Sequence, residues 1–455
     1  MEEIVSETQF DFTFAPGVSQ EQILGFELAG EVWSSYLRDD VTVNIHVDIS
    51  NELPENVIGG ALPNFQSDLK YRDLKDSLAE DATSDNDLLA SANLAIERNN
   101  FFDAIVNGKE LDKGKETKLT SSNAKALNIT DGQGSELDGY IVINDLTNSG
   151  VDWYYDALRP ENIQDNQLDF LSVASHEIGH VLGFVSGVDD GDWLTTLTRS
   201  EDKGKIRDNA IQFVTPLDLY RYSSQSAETG QLDFSIGADS YFSLDGGQTN
   251  LAEFSTGEYK ELGGDGFQAS HWRDGGSEGI MQPLVNTGVI KRITPLDLTA
   301  MDVIGWDIAT PELDWQELYD TATANTANST IIDRSNDLER LSQNSKQYEG
   351  RISRYSTSVK YFWQTGSWQL DTIEGLDSSE SVDTSSLEET VISADDSFDE
   401  AGGQSVVEFT QPDDLLNNGN GDSVTGISDR NSNSDSLLTY NSVESGELFT
   451  DLSEL

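Results

Sequence analysis

Strict alternation marks one clear strand. From Val41 to Ser50 the run VTVNIHVDIS puts Val41, Val43, Ile45, Val47 and Ile49 on one face, which predicts a half-buried strand. His46 falls on the other face, where a surface or inter-strand histidine is expected rather than a ligand. Helical spacing follows between Asp87 and Ile105, where Leu88, Leu89, Ala92, Ala95 and Ile96 recur. GYIVIND, Gly139 to Asp145, reads as a second strand, with loops rich in Asn, Asp, Ser and Gly between. From about Asp169 the run LDFLSVASHEIGHVLGF turns helical. Asp169 or Asn166 can accept from the free N–H groups of its first turn, and Gly183 can adopt the positive φ that ends many helices.

A long mixed segment fills about 187–270, with strand-like runs at Asp218 to Tyr222 and Ser240 to Leu244 and a turn at Asp245-Gly246-Gly247. After Pro295 the residues Leu298, Met301, Val303 and Ile304 predict a short amphipathic helix that Gly305 ends. Beyond about Thr310 apolar periodicity fades. Tyr355, Tyr361, Phe362, Trp363 and Trp368 allow a small appendage or linker over 311–370. The stretch 371–455 contains a single base, Arg430, and is expected to be a disordered acidic tail. The division read from these patterns is an N-terminal segment 1–40, serving as a latency segment or a first strand, a catalytic domain 41–310, the appendage and the tail.

Charge narrows the partners. The 455 residues carry 83 Asp plus Glu against 27 Lys plus Arg, a formal net charge of −56. Such a polyanion repels phosphate backbones, so nucleic acid is not an expected partner. Calcium is a candidate counter-ion, with Asp189, Asp190 and Asp192 as candidate ligands, although a solvated acidic loop explains them equally. There is no cysteine, which excludes disulfides and thiolate chemistry. No stretch approaches the ~20 apolar residues of a membrane span. Met1 to Phe10 lacks the basic start and apolar run of a secretory signal. The expectation is a secreted or cell-surface protein exported by a route not visible at the N-terminus, with a cytoplasmic location as the alternative. Oligomeric state is not readable.

The chemistry concentrates in His176-Glu177-Ile178-Gly179-His180. Residues four apart share a helix face, so two imidazoles can reach one metal and Glu177 can reach a water upon it. A catalytic zinc ordinarily takes a third protein ligand and keeps one position open. His271, in SHWRDG, is one candidate and Asp189 or Asp190 the other. Met281 follows His271 ten residues later.

HEIGHVLGF, then after a long insertion SHW and a Met-Gln-Pro turn, resembles the leishmanolysin-type metzincin peptidases, here without cysteines. Ser186 stands where many metzincins carry His or Asp. The resemblance implies His176, His180 and His271 as zinc ligands, Glu177 as catalytic base, Gly183 as the helix-ending glycine and Met281 as the Met-turn residue. It implies an α+β fold: a twisted, mostly parallel sheet with an active-site helix, then an irregular C-terminal subdomain. The activity implied is a metalloendopeptidase in which Glu177 activates a zinc-bound water to cut a polypeptide. The substrate would add as a strand beside Gly139 to Asp145, with Pro283 to Ile290 lining the pocket beyond the cut. The competing expectation is a non-catalytic zinc-binding surface or adhesion protein that retains the fold.

Overall fold

Phe12 and Phe14 point inward from the first strand, and the same two-residue period runs through the sheet it belongs to. The computed structural model describes residues 7–51, 53, 57–66, 69–96, 100–147, 149–188, 205–206, 211, 213–276, 279–338, 340–341, 369–374, 391–393 and 408–410. The elements that position the site are β1 (Gln9–Phe14), α1 (Gln20–Tyr36), β2 (Thr42–Ser50), β3 (Val57–Pro63), α2 (Tyr71–Asp81) and α3 (Asp85–Ile96). The hairpin β4 (Phe102–Val106) and β5 (Lys109–Gly114) follows, then β6 (Gly139–Asn144), α4 (Phe170–Leu182), β7 (Leu284–Asn286) and α5 (Pro295–Val303). The last are α6 (Trp315–Thr326), β8 (Thr330–Ile331) and β9 (Gln369–Glu374).

Seven strands form a mixed sheet in the order β7-β9-β3-β6-β2-β1-β8. β8, β1, β2 and β6 run parallel, β3 is antiparallel to β6, and β9 is antiparallel to β3 but parallel to β7. One face carries Val43, Ile45, Val47, Ile141 and Ile143, which share the main core with Phe26 and Trp33 of α1 and Val173, Ala174 and Ile178 of α4. Each of the Val, Ile and Phe side chains contributes ~1.5–3 kcal/mol by leaving water. Trp33 Nε1 donates to Ser175 O at 2.9 Å, which fixes α1 on the helix that carries the site.

Tyr140, Val142, Leu62 and Leu341 cover the other face. The half-buried reading of β2 is therefore corrected: His46 is fully buried, with Nδ1 2.9 Å from Thr13 Oγ1 on the adjacent strand. Burial pushes its pKa down to about 4. Of the two roles open to 1–40, the structure shows a first strand at Gln9–Phe14. The helix expected from Asp87 to Ile105 is α3 alone, because Phe102–Val106 is a strand. Asn107 and Gly108, both at positive φ, turn it into β5, and Asn-Gly is a strong hairpin signal. Past Thr310, α6 lies against α1, with Asn325 Nδ2 donating to Glu31 Oε1 at 2.9 Å. The aromatic residues from Tyr355 to Trp368 lie outside the described residues. Residues 383–455 form a separate unit, described by one antiparallel pair, Val391–Ser393 with Glu408–Thr410. No helix among the described residues is long and apolar enough to cross a membrane.

Candidate metal centre

Helix α4 begins where the Asp169 side chain accepts from Ser172 N at 3.1 Å and ends at Gly183, whose φ is +120°. All thirteen of its residues are buried. Its polar face is therefore enclosed within the protein. His176 and His180 stand one turn apart there, ring centroids 4.6 Å from each other. His271 comes from the far end of the insertion, 5.3 Å from the first ring and 5.0 Å from the second. One ligand atom from each of the three lies within 4.8 Å of the others, so they could hold a metal ion.

The hydrogen bonds favour that use. His176 Nδ1 meets Ile280 O at 2.6 Å, His180 Nδ1 meets Phe184 O at 2.8 Å and His271 Nδ1 meets Gln268 O at 3.1 Å. A carbonyl oxygen only accepts, so in the neutral ring each Nδ1 carries the proton and each Nε2 presents a lone pair. The Nε2 atoms of His176 and His180 are 2.9 Å apart. Two lone pairs at that distance repel, and a cation between them removes the repulsion. Three buried imidazoles, each oriented by a backbone carbonyl, form a donor set that could hold a metal ion.

The loop bearing His271 is held from several sides. Ser255 N donates to His271 O at 3.0 Å and Trp272 N to Met281 O at 2.9 Å. The Trp272 indole lies flat on Phe254, centroids 5.1 Å apart. Its Nε1 donates to Asp297 Oδ1 at 2.8 Å. Asp297 also accepts from Ile280 N, Thr294 N and Thr294 Oγ1 at 2.9, 2.8 and 2.7 Å. One buried carboxylate thus joins the His271 loop, the Met281 turn and the start of α5. Met281 is fully buried, and a Cβ at Gly179 would collide with its Sδ. The methionine therefore lies directly against the helix between the two histidines.

Glu177 is fully buried beside His176. A Cβ built on Gly59 would stand 2.7 Å from Glu177 Oε1, so β3 passes immediately over the carboxylate. Leu284 and Val285 of β7 line a small recess with His176, Val173 and Ile280, within the span Pro283 to Ile290. Ser186 takes no part in the histidine cluster. Its Oγ donates to Asp218 Oδ1 at 2.5 Å and its N–H to Ser270 Oγ at 2.9 Å, tying the helix exit to the insertion and to the His271 loop. Asp189, the alternative third ligand, lies outside the described residues, as do Asp190 and Asp192.

One placement is corrected. Gly139–Asn144 is not an edge strand, because it lies inside the sheet between β2 and β3. The strand beside Glu177 is β3. Its Gly59-Gly60 pair depresses strand propensity and hid it in the sequence. Asp297 was also passed over, although Thr294-x-x-Asp297 has the spacing of a capping box, which the structure forms. Neither a protein-family model, nor a curated protein, nor a solved structure matches this chain.

Proposed function

We propose that this chain is a zinc-dependent metalloendopeptidase. The observation that carries the reading is the set of three buried imidazoles that each bring one ligand atom within 4.8 Å of the others, with Glu177 next to His176 in the chain. His176, His180 and His271 would hold zinc. When bound, zinc polarises a carbonyl and acidifies a water. Glu177 takes the proton from the attacking water and passes it to the departing amine. An extended polypeptide would lie on the side of the sheet where β3 passes over Glu177. A glutamate adjacent to the histidines argues for turnover, because a purely structural metal site needs no base. We further propose that the protein acts outside the cell or at its surface.

The test compares zinc-loaded wild type, Glu177→Ala and His271→Ala on a denatured, unstructured protein. Glu177→Ala should keep its zinc and lose roughly 10²–10⁴-fold in turnover. His271→Ala should bind zinc less tightly by metal analysis. Equal turnover by wild type and Glu177→Ala would overturn the reading. Unchanged zinc affinity in His271→Ala would remove the third ligand.

A further inference from the structure

One short turn of the long insertion grips both halves of the metal centre. Leu217–Tyr220 is a 3-10 turn that leads into the short strand Arg221–Tyr222, paired antiparallel with Tyr241–Phe242. Asp218 and Arg221 are both buried. Asp218 faces the exit of α4. Its Oδ1 accepts from Ser186 Oγ at 2.5 Å, and its Oδ2 accepts from Gly187 N and Thr215 N at 2.9 Å each. Thr215 Oγ1 donates to Val185 O at 2.5 Å. The three residues Val185 to Gly187 are thus held just beyond the helix that carries His176 and His180. Arg221 faces the other half. Its Nη2 donates to Ala269 O at 2.5 Å and its Nη1 to Ser255 O at 3.2 Å. Ala269 stands two residues before His271, and Ser255 N donates to His271 O at 3.0 Å. The guanidinium also lies over the Phe254 ring, 4.3 Å from its centroid, and Phe254 stacks on Trp272, the residue after His271. Charge couples the two grips. Burial pushes the Asp218 carboxyl up, and the Arg221 guanidinium opposes that shift.

We propose that Asp218 and Arg221 are positioning residues of the metal centre, a buried bracket that sets the place of His271 relative to the helix bearing the other two histidines. The inference rests on reading the three histidines as metal ligands and not on peptidase activity. Three arguments support it. First, His271 lies 91 residues beyond His180 and outside any helix, so no local geometry fixes it against the first two rings. Its place has to come from tertiary contacts, and a metal site is only as exact as the groups that orient its ligands. Second, the donor matches the task. A planar guanidinium donates to two carbonyls at once and lies flat on an aromatic face, which an ammonium group cannot do. Third, the two charges are spent on the site. A pair kept only for core stability is readily replaced by apolar packing, whereas here one partner holds the backbone after α4 and the other holds the backbone around His271.

The experiment uses the full chain and measures zinc affinity for wild type, Arg221→Lys, His271→Ala and the double variant. Lysine keeps the charge and loses the fork. With His271 present, Arg221→Lys should weaken zinc binding roughly 10–100-fold, the usual scale for a group that orients a ligand. In His271→Ala the same change should alter the affinity by less than about 2-fold, because the ligand it positions is gone. Ser186→Ala removes a single hydroxyl from the bracket, is milder for folding, and should show the same pattern with a smaller loss. Equal losses with and without His271, or no loss in either, would overturn the proposal. The metal-free proteins are compared by amide hydrogen exchange as well. Arg221→Lys should speed exchange at Ser255 and Trp272 and leave β2 at the wild-type rate. Faster exchange throughout, or no change at Ser255 and Trp272, would also overturn it, since the first marks a general loss of stability and the second a loop held by other groups. Wild type that binds no zinc would remove the metalloendopeptidase reading, and the exchange pattern would still decide the bracket.

Discussion

Glu177 shows how a single missing side chain can set the position of a buried carboxylate. The carboxylate occupies the space a Cβ on Gly59 would need, 2.7 Å from Oε1. In Gly59→Ala the flexible end of Glu177 has to move and the imidazoles do not. Zinc content and melting temperature should therefore be almost unchanged while kcat falls ~10–100-fold, the scale expected when a reacting group is displaced by about 1 Å. Full turnover in that variant would mean that the position of the carboxylate is not critical. The histidines and Glu177 were legible in the sequence because four-residue spacing on a helix is local information. His271 was legible only by chemistry, being one of four histidines and downstream of the motif. The contact between Gly59 and Glu177 had no such signature, since 118 residues separate them and a glycine in a strand has many explanations.

At the scale of elements, the ends of segments mattered more than their middles. Helix α4 was readable from apolar spacing and from its capping residues, and α5 from apolar spacing between Pro295 and Gly305. β3 and the β4–β5 hairpin were not, because Gly-Gly weakened one pattern and a helical reading ran through the other. Asp297 links what the elements do to what the site needs. Its carboxylate is buried, and desolvation raises its pKa against the donors from Ile280, Thr294 and Trp272 that lower it. Asp297→Ala would leave those buried donors unsatisfied and remove the α5 cap. A loss of roughly 1–3 kcal/mol for each buried donor left without an acceptor is the scale expected. Zinc should also bind more weakly, because Trp272 and the Met281 turn lose the group that fixes them beside His271. Thermal melts and zinc titrations of the variant check both parts. A variant that melts with wild type would show that Trp272 packing alone holds the loop.

Across the whole molecule, what escaped the sequence was which strands meet. Alternation identifies a strand but not its neighbours, so Gly139–Asn144 was placed at an edge although it lies inside the sheet. The segment Gln369–Glu374 straddles the boundary expected at 370/371 between the appendage and the acidic tail, and its pairing partners lie about 300 and about 90 residues away in the chain. The net charge of −56 was plain from composition, but its uneven burial was not. Glu27, Asp39 and Asp302 are buried and Asp81 is partly so. Their pKa values are raised to about 7, 8, 6 and 7 in the same order. Burial is the largest cause in each case, and neighbouring carboxylates add to it, with Asp307 acting on Asp39, Asp81 and Asp302.

These shifts give stability an unusual dependence on pH. A carboxyl whose folded pKa lies above its unfolded value, here 3.8 for Asp and 4.5 for Glu, binds more protons folded than unfolded between the two. Stability must then fall as pH rises across that window, from about 4 to about 8. His46 acts in the opposite direction. Its folded pKa of about 4 lies below the ordinary 6.5, so its contribution is lost as pH falls from 6.5 towards 4. Four carboxyls outweigh one imidazole, and above 6.5 nothing from His46 opposes them. The metal-free protein should therefore melt higher near pH ~5.5 than near pH ~8, by less per kcal/mol than the ~2–4 °C of a 150–250-residue domain. The metal-free form is used so that metal binding does not contribute to the measured stability. Asp39→Asn deletes the largest of these shifts and should flatten the slope. A melting temperature that rises between those two pH values would mean that the buried carboxyls are ionised and paired in the folded protein, and the account of its charge would have to be reversed.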